Sequence, residues 1–124
     1  MNATRVAIID DHPVVREGIR LALERGGEFR VVGEGEKADD VEIVLGSHPD
    51  VIVLDLRLPG GGIEALRCAM RIDPDARVVI LSVSDDVDDR LCAMGEGATA
   101  FVRKGDGLSA LLDALRAASN RYLV

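Results

Sequence analysis

Aromatic residues are almost missing. They make up 2% of the 124 residues, as two phenylalanines, one tyrosine and no tryptophan. A chain so poor in rings has no platform on which to stack bases. Positive charge is also short, with 15 lysines and arginines against 22 acids and a formal net charge of -7. That balance argues against a nucleic-acid partner, so the domain alone is expected not to bind DNA or RNA. Lysine occurs only as Lys37 and Lys104, and cysteine only as Cys68 and Cys92. Both cysteines fall in helical patterns without metal-ligand spacing and read as reduced core or boundary residues. No apolar run approaches the roughly 20 residues that cross a bilayer, so no membrane contact is expected. The opening Met1-Asn2-Ala3-Thr4-Arg5 has no signal-peptide layout, and the expected location is cytoplasmic.

Hydrophobic residues, by contrast, make up 48% of the chain, enough for one domain with a substantial core. Apolar runs alternate with amphipathic stretches along the whole length. The runs predict strands over about 5–10, 29–33, 51–55, 77–82 and 99–103. Val51-Ile52-Val53-Leu54 is continuous, as suits a parallel strand covered on both faces. Helices are predicted from Pro13 to Gly26-Gly27, and over 38–48, 63–72, 85–94 and 108–118. Val15, Ile19, Ala22 and Leu23 share one helical face, as do Leu108, Leu111, Leu112 and Leu115. Pro13 suits a first turn, and Gly95 and Gly97 stop the fourth helix. The pattern predicts an α/β fold: a doubly wound five-stranded parallel sheet with helices on both faces.

In such a sheet, ligands bind outside the carboxyl ends of the strands. Asp10 and Asp11 close the first strand, Asp55 the third, Ser82 the fourth, and Lys104 follows the fifth. Crowded carboxylates repel, so the cluster points to a cation and an anion handled together. With hard oxygens and neither a thiolate nor an imidazole cluster, Mg2+ fits better than zinc. A carboxylate can also act as a nucleophile and become an aspartyl phosphate. Lys104 would then neutralise the phosphoryl oxygens, and Ser82 would donate to one of them. Each group has a plainer reading. Asp11 caps the helix that starts at Pro13, Asp55 is a solvated loop acid, and Lys104 is a surface lysine. His12 reads as a turn residue rather than a base, and His48 as a solvated loop residue.

With these residues laid out, residues 4 to 120 resemble the receiver domain of two-component response regulators. Val-Ala-Ile-Ile-Asp-Asp-His-Pro-Val-Val-Arg-Glu-Gly-Ile is similar to the opening of the LuxR/NarL-type subfamily. Val-Ile-Val-Leu-Asp-Leu-Arg-Leu-Pro-Gly resembles its phosphoacceptor segment, and Gly97-Ala98, Phe101 and Lys104 resemble the segment around its lysine. The resemblance implies the flavodoxin-like strand order 2-1-3-4-5. It implies that Asp55 accepts a phosphoryl group from a histidine kinase, and that Lys104 pairs with Asp55 or its phosphate. It implies Mg2+ held directly by Asp11 and Asp55, more loosely by Asp10, and by the backbone carbonyl of Arg57. Ser82 is implied as the switch hydroxyl and Phe101 as the aromatic that changes rotamer with it.

Three departures accompany the resemblance. Only Gly60-Gly61-Gly62 separate Pro59 from Ile63, where the family has a longer stretch with an acid; three glycines in a row predict a mobile loop. Val83 follows Ser82 where a smaller residue is common, and Gly105 follows Lys104 where proline is common. The resemblance further implies a receiver domain over 1–120 and the start of a linker over 121–124, leading to a DNA-binding domain that the sequence does not contain. The expected function is a phosphorylatable switch, not an enzyme, that regulates transcription and dimerises when phosphorylated. The alternatives are a pseudo-receiver that binds a partner without phosphorylation, or a phosphohydrolase with an aspartyl nucleophile. The latter places its nucleophile motif after the first strand, where this chain has adjacent acids instead.

Overall fold

Strand alternation decides which residues meet which helix layer. The structure, a computed structural model, describes residues 3–119. The strands are β1 (Thr4–Ile9), β2 (Phe29–Gly35), β3 (Val51–Asp55), β4 (Val78–Ser82) and β5 (Ala100–Arg103). All pairs are parallel, in the order β2-β1-β3-β4-β5. The helices are α1 (Pro13–Glu24), α2 (Val41–Leu45), α3 (Gly62–Ile72), α4 (Val87–Gly95) and α5 (Gly107–Ser119).

Successive side chains point to opposite faces of a strand. Val6, Ile8, Val51, Val53, Val79, Leu81 and Val102 therefore pack on one face, with Ile19 and Leu23 of α1 and Leu111 and Leu115 of α5. Ala7, Ile9, Ile52, Leu54, Val78, Ile80 and Phe101 face the other way, onto α2, α3 and α4. Both faces of the sheet are buried, which is why the strands read as continuous apolar runs rather than alternating ones. Arg77, just ahead of β4, donates to the carbonyls of Ala118 and Ser119 and so holds the end of α5 at the amino rim of the sheet.

Most boundaries shift by one or two residues from the sequence reading, and two of the shifts have an identifiable cause. The second helix does not run over 38–48. Asp40 accepts the Glu36 and Lys37 N–H groups, which tightens Ala38–Asp40 into a 3-10 turn. A short α2 follows, and Ser47 Oγ donates to the Val44 carbonyl as the chain leaves it. His48 then turns with φ 55. Strand β2 also continues past Gly33 to Gly35, where glycine admits a neighbouring chain instead of breaking the strand. A Cβ at Gly35 would stand 2.7 Å from Asp40 Cβ. The linker expected over 121–124 lies outside the described residues.

Candidate functional site

Because β1 and β3 are neighbours, the residues that end them meet. Asp10 and Asp55 are both buried, and Ser82 is fully so. Lys104 Nζ reaches between the acids, 3.2 Å from Asp10 Oδ2 and 3.5 Å from Asp55 Oδ2. Its shorter contact is thus to Asp10, not to the Asp55 partner expected from sequence. Asp55 Oδ1 accepts the Arg57 N–H at 3.1 Å. Burial pushes the Asp55 carboxyl above its ordinary value of 3.8; the Arg57 N–H and Lys104 oppose this, and Asp10 adds to it.

Asp11 is held differently. Its side chain is 30% exposed, yet its Oδ1 is buried without a hydrogen-bond partner. His12 Nδ1 lies 3.0 Å from that oxygen, but the two are not aligned as a hydrogen bond. A buried carboxylate oxygen without a donor is a ready ligand atom for a hard cation. Ligand atoms of Asp10, Asp11, His12 and Asp55 all lie within 4.8 Å of one another. The residues fit a small divalent ion bound mainly through oxygen.

His12 is more involved than a turn residue. Its N–H donates to Asp10 Oδ1 at 2.9 Å, and its ring nitrogen stands beside both acids at the mouth of the site. Sequence reasoning also missed Arg16, whose guanidinium donates to the Asp10 carbonyl. No local signal marks Arg16, because its other partner, Glu34, is on β2.

The glycine turn is built tightly. Gly61 N–H donates to Leu58 O at 2.8 Å and Gly62 N–H to Leu56 O at 3.0 Å. Gly60 and Gly61 have φ of 88 and 93, and a Cβ on Gly62 would lie 2.2 Å from Leu56 O. The expected loose loop is a hydrogen-bonded turn in which glycine is required sterically.

On the β4 side, Ser84 N–H donates to Ser82 Oγ at 3.1 Å, and Ser84 Oγ donates to Asp89 at 2.7 Å. Arg103 spans Asp85 and Asp106, tying the β4–α4 loop to the turn after β5. Phe101 is buried beneath Arg90, whose guanidinium carbon sits 5.9 Å from the ring centroid. Val83 points outward and is exposed, clear of the buried acids. Gly105 lies in a 3-10 turn, Lys104–Asp106, that leads into α5. The structure therefore brings Asp10, Asp11, Asp55 and Lys104 together, with Ser82 at the end of the adjoining strand and Phe101 packed into the layer below.

A family model described as the response regulator receiver domain matches residues 6–116. The transcriptional regulatory protein DegU of Brevibacillus brevis is 36% identical over 93% of the chain and 50% of its own length. The chain spans about half the length of the curated relatives it matches. A LuxR-family two-component response regulator from Aurantimonas sp. SI85-9A1 superposes with a TM-score of 0.89 at 36% identity, covering 95% of this chain and 86% of that one. The signal receiver domain of the putative response regulator NarL from Mycobacterium tuberculosis gives 0.83 at 32% identity, with coverages of 94% and 98%. Among the described residues, no helix is long and apolar enough to cross a membrane.

Proposed function

The chain belongs to the response regulator receiver domain family, in its LuxR/NarL-type branch, and from that premise we propose that Asp55 accepts a phosphoryl group from a histidine kinase. The observation that carries this reading is the buried Asp55 carboxylate facing Lys104, beside Asp11 with its unpartnered oxygen. The Arg57 N–H fixes Asp55 Oδ1, which orients the carboxylate for in-line attack. An Asp55 oxygen forms the new bond to phosphorus, the bond from phosphorus to the kinase histidine nitrogen breaks, and the imidazole leaves. Asp10, Asp11, Asp55 and the Arg57 carbonyl would hold Mg2+, which neutralises charge on the phosphoryl oxygens. Lys104 takes part in that neutralisation from the opposite side. Its pairing with Asp10 supports a looser metal role for Asp10 than for Asp11.

Ser82 Oγ accepts from Ser84 and keeps its own hydrogen free to donate to a phosphoryl oxygen. That donation draws the β4–α4 loop inward, and Phe101 repacks as Arg90 moves. The consequence is a change of surface at α4, β5 and α5, suited to homodimerisation and to control of a DNA-binding output domain joined after residue 120. Residues 1–120 would then be the receiver and 121–124 the start of the connection.

Acetyl phosphate with Mg2+, followed by intact mass, tests the reading. The wild type should gain the mass of one phosphoryl group. Asp55→Asn should gain none while keeping its circular dichroism spectrum. A wild type that never forms the adduct favours a pseudo-receiver, and sustained turnover of phosphate esters favours a hydrolase.

A further inference from the structure

The turn that carries the metal-side acids is held from outside the site. Asp10 N–H donates to Gly35 O at 3.0 Å, which fixes one side of the residue to β2. Its carbonyl has passed the end of the β1 ladder and accepts instead from Arg16 Nη1. Arg16 Nε donates to Glu34 Oε1 at 3.2 Å, and Arg20 Nε stands 3.9 Å from Glu34 Oε2. Arg16 is 19% exposed and its grip on the Asp10 carbonyl is partly buried, while its pair with Glu34 lies at the surface.

The peptide between Asp10 and Asp11 is planar. Gripping its oxygen therefore sets the direction of both flanking Cα atoms, and with them the paths of both carboxylates. We propose that Arg16 is a positioning residue for divalent-cation binding: held by Glu34, it fixes the Asp10–Asp11 peptide so that the Asp11 carboxylate faces the metal site. The inference rests on the reading of Asp10 and Asp11 as metal ligands.

Charge and geometry make opposite predictions here. Removing a cation near an acid cluster should by itself tighten Mg2+ binding. Removing a positioning residue should weaken it, typically about tenfold or more for the outer partners of metal ligands. Isothermal titration of Mg2+ into Arg16→Ala should show a Kd raised at least tenfold, with a smaller rise for Glu34→Gln. The double variant should match Arg16→Ala alone, since Glu34 acts through Arg16. In amide spectra, the Mg2+-induced shift at Asp11 should shrink in both single variants. A Kd unchanged or lowered in Arg16→Ala overturns the proposal. If that variant fails to fold, a wild-type Kd in Glu34→Gln overturns it alone. A wild type that neither binds Mg2+ nor forms the adduct refutes the underlying site reading instead.

Discussion

The two halves of the carboxyl rim are held by different bonds. Around the acids, the loops are fastened largely by main chain, Gly62 to Leu56, Gly61 to Leu58, Ala38 to Pro59 and Asp10 to Gly35, with Arg16 gripping the Asp10 carbonyl in addition. Around Ser82, the fastening is by side chain: Ser82 to Ser84, Ser84 to Asp89, and Arg103 to Asp85 and Asp106. Main-chain bonds in a tight turn cannot be exchanged without refolding the turn. The Arg103 pairs join exposed groups and are replaced by water at little cost, whereas the Ser82–Ser84 bond is buried. The acid half is thus the more firmly preset, and the outer ties of the serine half are the ones that yield.

The comparison breaks most severely at Gly62. Alanine there would drive its Cβ to 2.2 Å from Leu56 O and 2.5 Å from Leu56 Cα, and neither can yield alone. We expect a loss on the order of 3 kcal/mol, read as a fall in Tm of roughly 10 °C. A melt within a degree of wild type would show that the turn is soft after all.

A smaller effect, opposite in sign, is expected at Asp55. Its folded pKa lies above 3.8, mainly through burial. The folded chain therefore binds the proton more tightly than the unfolded chain. Stability falls as pH rises from 3.8 through the folded value, and the loss is constant above it. Without metal at pH 7, Asp55→Asn should be more stable than wild type by on the order of 1 kcal/mol. Urea melts should show that gap narrowing as pH is lowered towards 3.8. A gap that widens on acidification would contradict the burial argument.

The serine half should respond less. Ser84→Ala removes the acceptor for Asp86 N–H and the donor to Asp89, a cost of about 1 kcal/mol. Arg103→Ala, which cuts only exposed pairs, should leave Tm unchanged while hydrogen exchange at the Asp86 amide speeds up. Unaltered exchange there would mean that main chain, not side chain, holds this loop too.

Much of this was legible in the residues. Continuous apolar runs gave five parallel strands, and the acids at the ends of β1 and β3 do come together. What escaped shares one cause: the deciding partner is distant in sequence or belongs to the main chain. The helix over 38–48 kept its periodicity at Val41, Val44 and Leu45, but Asp40 diverted its first turn by bonding backbone N–H groups. The expected strand ends at Gly33, short of Gly35, because the close approach of Asp40 there is a packing fact. Arg16 looked like one more surface arginine because its partners are a carbonyl six residues back and a glutamate on β2.

The clamp of Arg77 on the end of α5 has a consequence for signal relay. The thirteen residues of α5 begin beside the turn that carries Lys104 and end at Arg77, on the opposite pole of the domain. At 1.5 Å per residue that is a strut about 20 Å long. Ser119, the last described residue, lies at the pole away from Asp55. A change at the Lys104 end of α5 reaches its other end only as a tilt or shift of a rigid rod. Arg77 is the far bearing of that rod.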